Sequence, residues 1–206
     1  MNHECEIERQ EDGEMSTALH LTINEYQRMI NDDAFAAVRD RRIELIRGEL
    51  REMSPPGPNH SEAVSWLTEW SVLTPPKSRV KVRIQDPIEL PELDSQPQPD
   101  VVWAKPRRYS DHHPRVDEIF LVIEVADSNL NGDLGEKAEL YAAGGIQDYW
   151  VVNISGQSVE VHRKPVGGTY AEHTTHQFGE RIAPLAFPAV LLDITALFAP
   201  LPGGEG

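Results

Sequence analysis

The run Ile119-Phe-Leu-Val-Ile-Glu-Val125 constrains this chain more than any other segment. Its apolar residues do not alternate with polar ones, so neither face of the strand they form can meet water. Such a strand belongs in the middle of a sheet, with a layer on each side. Glu124 interrupts the run. An ionised carboxylate there is costly unless it is paired, hydrogen-bonded or holding a cation. The segment therefore predicts a central strand and marks one residue that needs a partner.

Other segments supply the rest of the layout. Asp100-Val-Val-Trp103 is a short apolar strand opened by an acid after Pro99, and Asp148-Tyr-Trp-Val-Val152 is another strand. Lys77 to Ile84 alternates strictly, which predicts two unlike strand faces. Val80, Val82 and Ile84 would share one face, and Lys77, Arg79, Lys81 and Arg83 the other. Ile43–Ile46 and Glu49–Met53 flank Arg47-Gly48 as a hairpin, and Val159–His162 and Thr169–Thr175 flank Gly167-Gly168 as a later one. Thr22 and Glu25 have the spacing of a capping box that opens a short helix. His60 to Leu73 reads as a helix with Val64, Leu67 and Val72 inward. Asp127-Ser128 and Gly132-Asp133 read as turn and N-cap of a helix carrying Leu134, Ala138, Leu140 and Tyr141, which stops at Gly144-Gly145. Leu185 to Phe198 closes the domain. The fold class is α/β, with a mixed central β-sheet flanked by helices and additional β-hairpins.

At 206 residues the chain suits one domain, expected over residues 18–199. Residues 1–17 are expected to form a flexible acidic tail, and 200–206 a C-terminal tail. The lone cysteine, Cys5, falls in the first tail and rules out an internal disulfide. No apolar run approaches the ~20 residues of a membrane span. The N-terminus has no apolar core of a signal peptide. A cytoplasmic location without membrane partners is the expectation. The formal net charge of −15 argues against tight non-specific binding to nucleic acid through a broad basic surface. The Glu-rich tail adds to that total without bordering the rest.

Chemistry concentrates on two acids. Asp100 and Glu124 lie at the ends of neighbouring apolar strands, where they could face one another. Close carboxylates repel unless a proton or a metal lies between them. Hard oxygen ligands with room for water suit Mg²⁺ or Mn²⁺. The alternative for Glu124 is a salt bridge or hydrogen bonds to nearby backbone. Lys137, on the helix after the Glu124 strand, could bring an ammonium into the acidic site, or could be an exposed lysine beside Glu136 and Glu139. The basic side chains of the 77–83 segment could contact phosphates locally, or line a solvated face. His112, His113, His173 and His176 invite a zinc reading, but their loop-like contexts and the lack of a matching Cys or Glu set count against it.

These residues carry a wider resemblance. Glu44-Leu-Ile-Arg-Gly-Glu49, Met53-Ser-Pro-Pro-Gly-Pro-Asn-His60, Gln98-Pro-Asp-Val101, Glu124-Val-Ala-Asp-Ser128, Asp133-Leu-Gly-Glu-Lys137, Leu140-Tyr-Ala-Ala-Gly144 and Asp148-Tyr-Trp-Val-Val152 occur in order. Together they resemble the Uma2 family of endonucleases, also called DUF820, within the PD-(D/E)XK restriction-endonuclease-like superfamily. The resemblance covers about Thr22 to Phe198. It implies a restriction-endonuclease-like fold and a metal-dependent endonuclease hydrolysing DNA phosphodiester bonds. Asp100 takes the place of the motif's aspartate and Glu124 that of its second acid, with the Val125 carbonyl as a third metal ligand. Ala126 stands where the plain pattern has lysine, and Lys137 fits the relocated lysine of Uma2-like sequences. Glu44 matches an acidic position that would complete the site. His60 and Gln98 match accessory positions. DNA is the implied substrate, and a homodimer is compatible with it, since cutting a duplex needs two sites. The alternative is a catalytically inactive nuclease-like module used for binding or assembly.

Overall fold

The computed structural model describes residues 19–38, 41–127 and 130–199. Both expected tails, and the Ser128 end of the proposed turn, lie outside the described residues. Strands β3 (Lys81–Ile84), β4 (Val101–Ala104), β5 (Ile119–Ala126), β6 (Asp148–Asn153), β7 (Ser158–Val166) and β8 (Thr169–Gln177) form a six-stranded sheet in chain order. All neighbours pair antiparallel except β5 and β6, which run parallel. Antiparallel neighbours need only a turn or loop, whereas the parallel pair requires a crossover. Helix α3 supplies it: Leu130–Gly132, a π-helical turn Asp133–Lys137 and Ala138–Gly144, without a break.

The apolar run behaves as its composition demands. From Leu121 to Ala126 every residue of β5 is buried. Alternate residues feed two separate cores. Leu121, Ile123 and Val125 join Trp103, Trp150 and Val152 on one face, against helix α2 (Pro58–Leu73) and helix α4 (Ile194–Phe198). Val122 and Ala126 join Val102, Tyr149 and Val151 on the other face, against Leu140 and Tyr141 of α3. Glu124 falls on this second face. The first core is anchored by indoles, with Trp70 of α2 stacked on Trp103 at 4.9 Å and on Trp150 at 6.2 Å between ring centroids. The inward stripe of α2 is Ala63, Val64, Leu67, Trp70 and Ser71. Val72, expected inside, is 42% exposed, because the stripe follows the 3.6-residue period past it.

Helix α1 (Ile23–Asn31) opens with the expected capping box, Glu25 N–H donating to Thr22 Oγ1 and Thr22 N–H to Glu25 Oε2. The β1 (Arg42–Ile46) and β2 (Glu49–Met53) hairpin stands apart from the large sheet. Its turn places Arg47 and Gly48 at φ 50° and 79°, and a Cβ on Gly48 would strike the His20 ring. Beyond β8, β9 (Arg181–Ile182) and β10 (Leu192–Asp193) make a second small pair.

The strand expected from Lys77 is shorter than its alternation suggests. Lys77 and Arg79 do not share a strand face with Lys81 and Arg83, because the strand begins only at Lys81 and residues 77–79 form a turn after Pro75-Pro76. Arg79 instead lies over the Phe187 ring, 5.1 Å from its centroid. Arg83 pairs with Asp86 at 3.3 Å, and both Lys81 and Arg83 stand over Tyr109. Alternation in sequence continued past the residues that the strand uses. No helix among the described residues is long and apolar enough to cross a membrane.

Candidate active site

Asp100 sits just before β4, whose Val101 is registered with Ile123 of β5. One more step along that antiparallel register puts Asp100 opposite Glu124, on the same sheet face. Asp100 is tightly held. Its Oδ2 accepts the Val125 N–H at 2.9 Å, and its Oδ1 accepts from Gln85 Nε2 at 3.1 Å. Gln85, the residue after β3, takes a left-handed conformation, φ 52°, and also donates its backbone N–H to the Asp100 carbonyl at 3.1 Å. Nothing in the sequence pattern marked Gln85, since its part depends on a register that only the paired strands create.

His60, in the first turn of α2, reaches the same carboxylate. Its Nε2 is 3.1 Å from Asp100 Oδ1 and its Nδ1 is 3.0 Å from the Val125 carbonyl oxygen. Both partners are acceptors only, so satisfying both contacts takes a doubly protonated ring. The hydrogen bond to Asp100 accordingly raises the His60 pKa, burial opposing it. Burial alone would raise Asp100, but His60, Val125 N–H and Gln85 outweigh it and hold the carboxyl below its ordinary range.

Glu124 has different neighbours. Its Oε1 accepts the Tyr141 hydroxyl at 2.7 Å and lies 2.9 Å from Lys137 Nζ. Lys137 Nζ is also 3.4 Å from Asp133 Oδ1, one turn back along the helix. The π-helical turn over Asp133–Lys137 sets both side chains toward the sheet. Asp133, expected to be an N-cap, is instead a buried member of this cluster, because the helix begins before it at Leu130. Burial pushes the Glu124 carboxyl up to about 8, against the pull of Lys137 and with a push from Asp100 and Asp133. Burial also works against the Lys137 charge, but Glu124, Asp133 and Glu44 overcome it and keep the ammonium firmly protonated.

Glu44 of β1 is buried and accepts the Gln98 N–H at 3.2 Å, while Gln98 Nε2 donates to the Ile43 carbonyl at 2.8 Å. Gln98 thus ties the hairpin to the strand that carries Asp100. Glu44, His60, Asp100, Glu124, Val125, Asp133 and Lys137 all line one cavity of about 340 Å³. Lys77, Arg79, Lys81 and Arg83 do not line it; its other cations are Arg42 and Arg51. Arg107 and Arg115 are tied to Glu118 and Glu89.

The donor set can be weighed against a hard divalent cation. Asp100 and Glu124 carboxylates and the Val125 carbonyl are all oxygen donors, as Mg²⁺ and Mn²⁺ prefer. The contacts of Glu124 with Tyr141 and Lys137 both fall on Oε1, so Oε2 keeps its lone pairs among the described residues. Across the cavity lining the acids Glu44, Glu52, Asp100, Glu124, Asp127, Asp133 and Glu136 outnumber the cations Arg42, Arg51, His60 and Lys137. The donors therefore fit such an ion. No group of His, Cys, Asp or Glu side chains large enough to be a side-chain-only metal cluster occurs among the described residues. The histidines do not converge. His112 meets Asp111 and Glu118 in the loop before β5, whereas His173, on the edge strand β8, meets Glu160 of β7.

A search of solved structures finds the crystal structure of "a putative nuclease belonging to DUF820 from Anabaena variabilis ATCC 29413". It superposes with a TM-score of 0.68 at 16% identity, over 86% of this chain and 97% of that one. At that identity the likeness speaks for the fold, a nuclease-type mixed α/β architecture. No curated protein matches the chain. The model of the Uma2 family, described as "Putative restriction endonuclease", matches residues 23–195, which include the whole cavity lining. The chain belongs to the Uma2 family.

Proposed function

We propose that this protein is a metal-dependent endonuclease that hydrolyses DNA phosphodiester bonds at Asp100, Glu124 and Lys137. The observation that carries the reading is the meeting of acids from adjacent strands with an ammonium from the following helix, in one cavity. The family description and the neighbour's title both name nucleases, and they support the same class. Asp100, Glu124 and the Val125 carbonyl would hold Mg²⁺ or Mn²⁺. Once bound, that ion supplies an acidified water and neutralises charge on the scissile phosphate.

The chain's own residues do the rest. Gln85 and the Val125 N–H keep the Asp100 carboxylate in one orientation. His60 holds Asp100 and the Val125 carbonyl together and acts as an accessory positioning group. Lys137 keeps its proton beside Glu124 and presents positive charge where an anionic oxygen develops. Glu44, oriented by Gln98, adds to the negative field that draws a cation in. A duplex cut in both strands needs two such sites, so a homodimer is the assembly to look for.

Two measurements test this. Mn²⁺ titrated calorimetrically into the wild type should bind, and into Asp100→Ala with Glu124→Ala should not. Equal binding removes the metal from the account. Supercoiled plasmid should be nicked by the wild type and not by Lys137→Ala. Nicking that persists in the variant would point to a contaminating nuclease, and a wild type that binds DNA without cutting it would favour the inactive binding module.

A further inference from the structure

Arg42 is the first residue of β1, on the same strand face as Glu44 and Ile46, and all three line the cavity. Its Nη2 is sealed from solvent yet has no hydrogen-bond partner. The other cavity cations are engaged: Arg51 with Glu49 and Glu136, Lys137 with Glu124 and Asp133. Arg42 has no ion pair among the described residues, although Glu44 and Glu52 line the same cavity. Arg42 as a whole is half-buried and only Nη2 is out of reach of water, but a guanidinium without any partner among the described residues at a cavity wall is free to turn toward an incoming anion, which would offset the desolvation of that atom. The other buried orphan atoms, on Ser71, Arg83, Trp103, His113 and His162, belong to residues that do not line this cavity.

We propose that Arg42 is a substrate-binding residue, whose guanidinium takes a non-bridging phosphate oxygen of a nucleic-acid strand entering the cavity. The inference rests on the nuclease reading and adds its anion-binding part. The cavity is rich in carboxylates, which would repel a polyanion. A guanidinium on the hairpin wall offsets that repulsion at one phosphate and holds the strand beside Asp100 and Glu124. Guanidinium suits this because its fork donates through two N–H groups to one phosphate. It also explains how an acidic protein could hold nucleic acid: by a few committed donors rather than a basic surface.

The test is fluorescence anisotropy of a labelled duplex oligonucleotide, with Ca²⁺ present to support binding without cleavage, across a series of salt concentrations. Arg42→Gln and Arg42→Ala should weaken binding by roughly ten-fold or more. They should also make the slope of log affinity against log salt shallower by about 0.9, the value of one lost phosphate contact. Arg42→Lys should restore the slope but not the whole affinity. Circular dichroism melts identify a variant that fails to fold, and Arg42→Gln, nearest in shape, then carries the comparison. Wild-type binding that Arg42→Gln leaves unchanged overturns this role and leaves the nuclease reading standing. Weakened binding with an unchanged salt slope also overturns it, as a structural effect. No wild-type binding at all overturns both.

Discussion

Replacing Lys137 by methionine should produce a loss of stability that grows with pH. Nζ lies 2.9 Å from Glu124 and 3.4 Å from Asp133. With an effective dielectric of about 20, those separations correspond to gross attractions of about 6 and about 5 kcal/mol. Most of this is spent on desolvating the three groups, but removing only the cation leaves its partners buried and uncompensated. The usual loss for that is about 3–5 kcal/mol. Glu124 can limit the damage by taking a proton. In the wild type its carboxyl is raised to about 8, so below that pH it is already neutral and loses little when Lys137 goes. Above it, the wild type ionises while the variant must hold the proton or bear a bare charge. The sign follows: a raised folded-state pKa lowers stability as pH rises, and the variant, raised further, falls more steeply. The difference between the proteins should widen by up to about 1.4 kcal/mol per pH unit. Urea unfolding of both proteins at about pH 6 and about pH 9 measures it, and adding Glu124→Gln to the variant should abolish the widening. An equal difference at both pH values, or widening that survives Glu124→Gln, would refute the coupling of the pair.

Gln85→Ala removes the donor to Asp100 Oδ1, and should weaken Mn²⁺ binding by roughly ten-fold, read by calorimetry, with little change in melting temperature. His60→Ala should lose most stability, relative to wild type, between about pH 4 and about pH 6.5. Asp100 is held low, so its share is lost as pH falls, and His60 is held high, so its share is lost as pH rises through its folded value; unfolding curves across that range check it. Trp70→Ala opens the indole stack between α2 and the sheet and should cost about 3–5 kcal/mol in urea unfolding.

The parts of the site that sequence made legible share a physical cause. An unbroken apolar run leaves no doubt about burial on both faces, so Glu124 announced itself as a charge out of place. Asp100 was legible through the same contrast, an acid at the mouth of an apolar strand. Lys137 had no such contrast, and only the ordered family motifs singled it out. Gln85 was silent because its role is a matter of strand register and one left-handed φ. Asp133 was misread as a cap because Gly132-Asp133 looks like a helix start, while the helix begins before it at Leu130. The basic 77–83 segment failed for a related reason: alternation records which residues could form a strand, while Pro75-Pro76 and the turn after them decide where it starts.

The π-helical turn carries a further meaning. In the plain pattern that the motifs resemble, acid and lysine stand two residues apart, so their separation is built into the backbone. Here the acid lies on β5 and the ammonium on α3, and no covalent spacing relates them. Their 2.9 Å contact is a property of how the helix docks, through Tyr141 and Tyr149, on the face of the sheet. A single residue deleted from Asp133–Lys137 would restore a regular helix and swing Lys137 about 100° around it, away from Glu124. On the proposed reading, the helix's phase, and not only its residues, brings the ammonium to the acid.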